Sequence, residues 1–192
     1  MQVIDWRRFI KNGLPQKGKF SSMTVGVFDG VHLGHQALLK KVVGYNPDFI
    51  PVAVTFRRNH KTAENEQEKN IQSFQERLDI FEALKIQVTI VIDFSQSFRK
   101  MPGTDFLDIL IKHGCVGFFA AGSKFRCGYK LDTSAEEIRS YFTFRGIPVE
   151  IVPETMEGSQ PISSSRIRAA ISSGDIELAQ VMLGHSPFIK KK

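Results

Sequence analysis

Short apolar runs alternate along this chain with longer amphipathic stretches. Five runs of four to six residues are rich in β-branched and aromatic side chains, which is typical of buried strands. They cover residues 24–28, 51–56, 88–92, 116–121 and 149–152. Between residues 57 and 70 the chain is polar and charged without a period, which predicts a loop.

The stretches between these runs predict helices. Ser73 and Glu76 have the spacing of a capping box, in which a serine hydroxyl and a glutamate carboxylate satisfy the first amides of a helix. A similar capping sequence begins at Thr133. Gly184 is a typical helix stop. The predicted helices cover residues 35–43, 74–84, 105–112, a stretch after residue 134, 165–172 and 176–183.

Strand and helix alternate five times, which predicts a doubly wound α/β domain around a mainly parallel five-stranded sheet. No linker or repeat divides the chain, so residues 1–192 are predicted to form a single domain. Ligands of such folds bind beyond the carboxyl ends of the strands. The loops after Phe28, Phe56, Ala121 and Val152 are therefore expected to form the site.

Composition narrows the classes of partner. The net charge of +6 suits a polyphosphate nucleotide, whereas nucleic acid is not expected, because the one dense basic cluster is the lysine run 190–192. No apolar run approaches the ~20 residues of a membrane helix, so no membrane association is expected. Cys115 and Cys127 form no metal-binding cluster, and a cytoplasmic location is expected.

The sequence from Thr24 to His35 runs from a strand through a glycine-containing turn into a helix. Gly30 and Gly34 allow the backbone to approach a phosphate closely. A helix start offers unpaired amides and a positive dipole end to the same anion. His32 and His35 can add two side-chain donors. Surface histidines in a turn and a metal site are alternatives, but no third metal ligand is nearby.

A second candidate segment lies near the end of the chain. Ser163, Ser164 and Ser165 precede or begin a predicted helix that carries Arg166 and Arg168. Serines at a helix start supply hydroxyl and backbone donors, and guanidinium groups match phosphate oxygens in pairs. The two arginines lie on different faces of the helix, so only one is expected to point inward. A capped surface helix with solvated arginines is the alternative.

The strand–loop–His-x-Gly-His–helix pattern resembles the HIGH-type nucleotidyltransferases, which implies a Rossmann-like nucleotidyltransferase fold. Several further motifs, in the same order from about residue 25 to residue 188, resemble bacterial FAD synthetase, the FMN adenylyltransferase module of the bifunctional riboflavin kinase/FAD synthetase. They are Gly26 to Gln36, Val54-Thr55-Phe56, Ile162 to Arg168, Gly174 to Ala179 and Leu183-Gly184. The chain stops about where the riboflavin kinase domain of that family begins, so no kinase domain is expected.

The resemblance implies an enzyme that transfers AMP from ATP to FMN, giving FAD and pyrophosphate, with Mg²⁺ accompanying ATP and no metal site in the protein. It implies catalytic roles for His32, His35 and Arg168. The ATP-binding residues would be Gly26, Phe28, Asp29, Gly30, Gly34, Ser164, Ser165 and Arg168. The flavin-binding residues would be Thr55, Phe56, Asn59, Lys124, Phe125 and Arg126.

The chain departs from the family pattern beside the site. Val27 stands where the family usually has Asn. Asn59 stands where the family has His, unless the adjacent His60 takes that place. Lys124 and Cys127 replace an acid and an aromatic residue in the segment that lies against the flavin in that family. These changes keep two alternatives open: another small-phosphate adenylyl- or cytidylyltransferase, or a regulator that binds flavin or nucleotide without turnover.

Overall fold

A computed structural model describes residues 1–57, 70–93 and 95–186, with only the backbone at 96 and 97. The strands in these ranges are β1 (Gln2–Asp5), β2 (Ser21–Val25), β3 (Ile50–Phe56), β4 (Val88–Ile92), β5 (Val116–Gly122), β6 (Arg126–Cys127), β7 (Thr133–Ser134), β8 (Val149–Val152), β9 (Met156–Glu157) and β10 (Gln160–Pro161). The helices are α1 (Trp6–Asn12), α2 (Leu33–Gly44), α3 (Phe74–Ala83), α4 (Gln96–Arg99), α5 (Gly103–Gly114), α6 (Ala135–Thr143), α7 (Ser164–Ser173) and α8 (Ile176–Leu183), with a 3-10 turn at Tyr129–Leu131.

Six strands form one sheet in the order β1-β4-β3-β2-β5-β8. Every neighbouring pair in it is parallel. The chain moves from β2 outward to β3 and then returns to place β5 on the other side of β2. Strand order therefore reverses between β2 and β5, which is where doubly wound folds bind ligands.

The central strands are buried along their whole length. Every residue of β2, β3 and β4 is buried, as expected for parallel strands whose two faces are both covered by helices. One core cluster includes Val52, Phe106 and Phe142, and a second, on the other alternating set of side chains, includes Ala53, Leu39 and Phe81. Because both faces are covered, each of these strands reads as a continuous apolar run, and such a run predicts a buried parallel strand.

The doubly wound α/β class is confirmed, but the predicted number of five strands is wrong. The sixth strand, β1, pairs with β4 at the edge of the sheet. Only Ile4 of its four residues is buried. An edge strand with one inward side chain has neither the apolar run nor the alternation that predicts a strand.

Several predicted boundaries also shift at the first motif. The strand predicted over 24–28 ends at Val25, because Phe28 takes a positive φ of 54° and cannot continue the ladder. The following helix begins at Leu33, with His32 rather than a later residue as its N-cap. The capping box of Ser73 and Glu76 is present.

The ends of two other helices follow their predicted chemistry. Ser134 forms a capping box with Glu137 at the start of α6. Gly184 ends α8 in the left-handed conformation that glycine adopts without strain. The local sequence thus determines where these helices begin and end.

The described helices are short. α2 and α5 have 12 residues each. A helix that crosses the hydrocarbon core needs about 20 predominantly apolar residues. Within the described ranges, no helix has the length and apolar character to span a membrane.

Candidate active site

A cavity of about 650 Å³ opens at the carboxyl edge of the sheet, beside the point where strand order reverses. Its wall includes residues 25–28 after β2, Phe56 at the end of β3, residues 122–128 after β5 and residues 152–155 after β8. Three of the four loops predicted to form the site, those after Phe28, Ala121 and Val152, therefore meet around one cavity. The predicted loop after Phe56 lies almost wholly outside the described residues. Residues 98, 99, 101 and 106, from the connection after β4, also line the cavity.

The turn after β2 has a strained backbone. Phe28 and Val31 have φ values of 54° and 37°, in a region that side-chain-bearing residues avoid, whereas Gly30 accepts its φ of 83° without strain. At Gly26 a Cβ would lie 2.9 Å from the Phe28 ring, so a side chain there would force that ring to shift. Such strain persists only where surrounding contacts hold it, and it is often found at functional sites.

His32 begins α2 and faces the cavity. Its Nδ1 accepts a hydrogen bond from the backbone amide of His35 (3.3 Å), so the proton of the neutral ring is on Nε2. Burial lowers the pKa of His32 to about 4. Gly34 leaves room for this ring, because a Cβ there would lie 3.2 Å from His32 Cε1. His32 is therefore a neutral hydrogen-bond donor at neutral pH.

His35 stacks on His32 with ring centroids 3.6 Å apart and an interplanar angle of 17°. The Phe28 ring packs edge-on against the His35 ring, with ring centroids 5.2 Å apart. Burial, and then the neighbouring His32 and Arg77, hold the pKa of His35 well below its usual range. Its buried Nδ1 has no hydrogen-bond partner among the described residues. The observed contacts of the His35 ring are the stack on His32 and the edge contact with Phe28.

Asp29 holds the turn in place from below. One carboxylate oxygen accepts from the Ile71 amide (3.0 Å), and the other accepts from Arg168 Nη1 (2.7 Å). Burial raises the pKa of Asp29, and the attraction of Arg168 opposes that rise. Both oxygens thus accept from protein donors, and Asp29 ties the turn to Ile71 and to Arg168.

The second predicted segment meets the first at Asp29. Ser163 is the N-cap of α7, and Ser164 Oγ donates to the Asp29 carbonyl (2.9 Å). Arg168 Nη2 donates to Ser165 Oγ (3.4 Å) beside its ion pair with Asp29. The serine–arginine segment therefore lies directly against the turn that carries the histidines.

The two arginines of α7 point in different directions. Arg166 pairs with Glu157 and donates to the Gln160 carbonyl, so it holds the β9–β10 hairpin. Arg168 is the arginine that faces the first motif. The spacing predicts that only one of the two arginines points inward, and the resemblance singles out Arg168, which is the one that contacts Asp29.

The rest of the cavity is an aromatic compartment with a basic rim. Phe98 packs edge-on against Phe106 with ring centroids 5.8 Å apart and against Phe56 at 6.1 Å. The basic side chains that line the cavity are Arg99, Lys124, Arg126 and Lys130. Lys124 Nζ pairs with Glu154 across the loops after β5 and β8 at 2.8 Å. A flat apolar ring system with an anionic substituent suits such a compartment.

The predicted site residues thus fall into four groups. Some line the cavity, namely Gly26, Phe28, His32, Gly34, His35, Phe56, Lys124, Phe125 and Arg126. A second group adjoins it through the turn and α7, namely Asp29, Gly30, Ser164, Ser165 and Arg168. Thr55 is separate, because its buried hydroxyl donates to the Val27 carbonyl and accepts from Arg77. Asn59 lies outside the described residues.

Several residues around the site were not among those predicted from the sequence. Phe98 and Phe106 follow β4, so the rule that loops after parallel strands share one edge could have found them. Glu154 follows β8 and was within reach of the same rule. Gln72, which donates to the Phe28 carbonyl (3.1 Å), and the buried Arg77 gave no local signal.

Comparison with known proteins gives the same family as the motifs. A family model described as FAD synthetase matches residues 14–166. A bifunctional riboflavin kinase/FMN adenylyltransferase from Buchnera aphidicola is 31% identical over 176 residues, which cover 88% of this chain and 55% of the relative. The bifunctional enzyme from Bacillus subtilis is 29% identical, and the match covers 88% of this chain and 55% of the relative. The one from Escherichia coli K12 is 27% identical, and the match covers 91% of this chain and 56% of the relative. The chain spans about half the length of the curated relatives it matches.

Solved structures agree on the fold. A crystal structure described as a macrolide-efflux protein from Streptococcus pneumoniae superposes with a TM-score of 0.81 at 27% identity, covering 96% of this chain and 60% of that one. Pantoate-beta-alanine ligase from Francisella tularensis superposes with a TM-score of 0.59 at 17% identity, covering 96% of this chain and 78% of that one. This likeness shows the fold alone. With a family model that matches most of its length and both signature segments in contact at Asp29, this chain belongs to the FAD synthetase family.

Proposed function

We propose that the protein is an ATP:FMN adenylyltransferase, which makes FAD and pyrophosphate. One observation carries the proposal: Ser164 and Arg168 of α7 bond to Asp29, in the turn that presents His32 and His35 to the cavity. Donors from two distant segments thereby converge beside an aromatic compartment. This arrangement can hold a triphosphate next to a flat ring. Both cysteines are free, which suits a reducing cytoplasm.

His32 and His35 would donate to oxygens of the α- and β-phosphates. Because their pKa values are depressed, both rings are neutral at pH 7, and their donor strength does not depend on a titration near that pH. His32 and His35 also lie at the start of α2, where the helix dipole has its positive end. Preorganised donors of this kind stabilise charge that develops in the transition state.

Ser165 and Arg168 would hold the outgoing pyrophosphate. Asp29 fixes one side of the Arg168 guanidinium, and Ser165 lies beside the other. A guanidinium has five N–H donors in a fixed fork, so an arginine that is oriented by a carboxylate can still bind phosphate oxygens. Asp29 thus serves as the group that aims Arg168.

The aromatic compartment would receive the isoalloxazine ring of FMN. Phe56, Phe98 and Phe125 offer apolar surface, and the basic rim offers partners for the FMN phosphate. Lys124 pairs with Glu154, and its side chain is 73% exposed, so it can turn toward an anionic ligand. The replacement of the family's usual acid by Lys124 therefore does not remove the flavin side of the site.

The reaction would be an in-line displacement at the α-phosphorus of ATP. An FMN phosphate oxygen forms the new P–O bond, the bond to the bridging oxygen of the β-phosphate breaks, and pyrophosphate leaves with that electron pair.

Mg²⁺ would enter with ATP as part of the substrate. Asp29 and Glu154 are already paired with Arg168 and Lys124. Among the described residues, no three His, Cys, Asp or Glu side chains are grouped to hold a metal ion.

The direct test mixes the protein with ATP, Mg²⁺ and FMN, oxidised in one tube and chemically reduced in another. We expect FAD and pyrophosphate in at least one tube, separated by chromatography. Parallel tubes with pantetheine phosphate or with CTP test the other transferases. Transfer to another acceptor in the absence of FAD, or tight binding by calorimetry without pyrophosphate release, would overturn the proposal in favour of one alternative or the other.

A further inference from the structure

Arg77 is a buried cation that the proposed reaction does not use. It lies on α3, is 1% exposed, and is among the largest fully buried side chains. Its Nη1 donates to the Phe56 carbonyl (2.8 Å) and to Thr55 Oγ1 (3.2 Å). Burial lowers its pKa, and the nearby Asp29 opposes that effect. Burying a guanidinium costs more free energy than burying an apolar side chain of similar size, so packing alone does not explain it.

Two hydrogen bonds through Thr55 connect Arg77 to the turn after β2. Its hydroxyl is completely buried and accepts from Arg77, so its own hydrogen is directed to the Val27 carbonyl at 3.2 Å. A threonine hydroxyl has one donor and two acceptor positions, which this arrangement uses in a defined direction. Arg77, Thr55 and the Val27 carbonyl form what we call the buried relay.

The same part of the chain also holds the next two residues of the turn. Gln72 donates to the Phe28 carbonyl, and the Ile71 amide donates to the Asp29 carboxylate. Phe28 is the residue with the positive φ, and its ring contacts His35. Because the Phe28 ring packs edge-on against the His35 ring, a change in the turn would reach His35 through Phe28.

We infer that Arg77 and Thr55 are positioning residues, which hold the strained turn so that His32 and His35 face the phosphates. The resemblance implies that Thr55 contacts the flavin, whereas this inference assigns its hydroxyl to the buried relay. Its effect on turnover rests on the proposed function, whereas its effect on the histidine rings does not. A flavin contact at Thr55 would change the KM for FMN, but the relay acts on the phosphate side.

The kinetic test compares Thr55→Val, which keeps the shape and loses the hydroxyl, with Thr55→Ser, which keeps the hydroxyl. We expect Thr55→Val to lower kcat about tenfold, the effect of one neutral hydrogen bond, with the KM for FMN unchanged. Thr55→Ser should restore most of that loss. Thr89→Val is the matched control, since Thr89 is equally buried on β4 and lies outside the relay. It should keep the original kcat.

A second measurement needs no turnover. Nitrogen-edited NMR of the histidine rings should show shifted His32 and His35 resonances in Thr55→Val, and original positions in Thr55→Ser and Thr89→Val. Arg77→Lys, which keeps the charge but loses the fork, should shift the same resonances and serves if Thr55→Val does not fold. Unmoved rings in the folded variants, or a change confined to the KM for FMN, would overturn the relay. If the unmodified protein makes no FAD, the proposed function fails, while the ring resonances still decide the relay.

Discussion

Replacing His32 by Asn should flatten the dependence of stability on pH. Asn retains an oxygen that can cap α2 and accept from the His35 amide, but it cannot take up a proton. In the folded protein the pKa of His32 is about 4 because the ring is buried. In the unfolded chain it returns to its ordinary value of about 6.5.

The sign follows from which state binds the proton first. As pH falls below about 6.5 the unfolded chain gains a proton at His32, and the folded chain does not until pH approaches 4. The free energy of unfolding therefore decreases on acidification. Between pH 7 and pH 5 the loss from His32 is about 2 kcal/mol. His35 contributes a loss of the same sign, and it remains in the variant.

The assay is urea unfolding at pH 7 and at pH 5, followed by the fluorescence of Trp6, the single tryptophan. The unmodified protein should lose about 2 kcal/mol more than His32→Asn between the two pH values. An equal loss in His32→Asn and the unmodified protein would refute the view that His32 is buried neutral.

Three further changes test the proposed roles. His35→Ala should lower kcat by about 10²–10³, as when one preorganised donor is lost, and full activity in steady-state assays would reject its role. Arg168→Ala should chiefly raise the KM for ATP, because its guanidinium would bind the leaving phosphates, and an unchanged response to ATP concentration would count against that. Lys124→Ala should change the free energy of unfolding by less than about 1 kcal/mol in urea titrations, because Lys124 is 73% exposed, while raising the KM for FMN if it binds the flavin side.

The central strands could be predicted because burial on both faces leaves a continuous apolar run, as in β3 and β4. β1 gave no such signal, since a four-residue edge strand exposes most of its side chains. Helix starts at Ser73 and Ser134 were predictable because capping is local chemistry. Sequence patterns thus give the elements whose cause lies within a few residues.

The parts of the site that depend on tertiary contacts could not be predicted in the same way. A charged residue such as Arg77, between a glutamate and a leucine on a helix, is normally exposed, and only the packing of α3 against β3 buries it. Thr55 was assigned to the flavin by resemblance, but its alternation along β3 turns its hydroxyl toward Val27. The pairing of Arg168 with Asp29 spans 139 positions and follows from the fold.

The most direct measurement follows the α-phosphorus of ATP. The protein is incubated with Mg²⁺, FMN and ATP labelled at the α-phosphate, and labelled products are separated while pyrophosphate is counted. The account predicts that label enters FAD in amounts equal to the pyrophosphate released, and that His35→Ala slows both together. Label that stays in ATP, or that appears as free AMP without FAD, would contradict it.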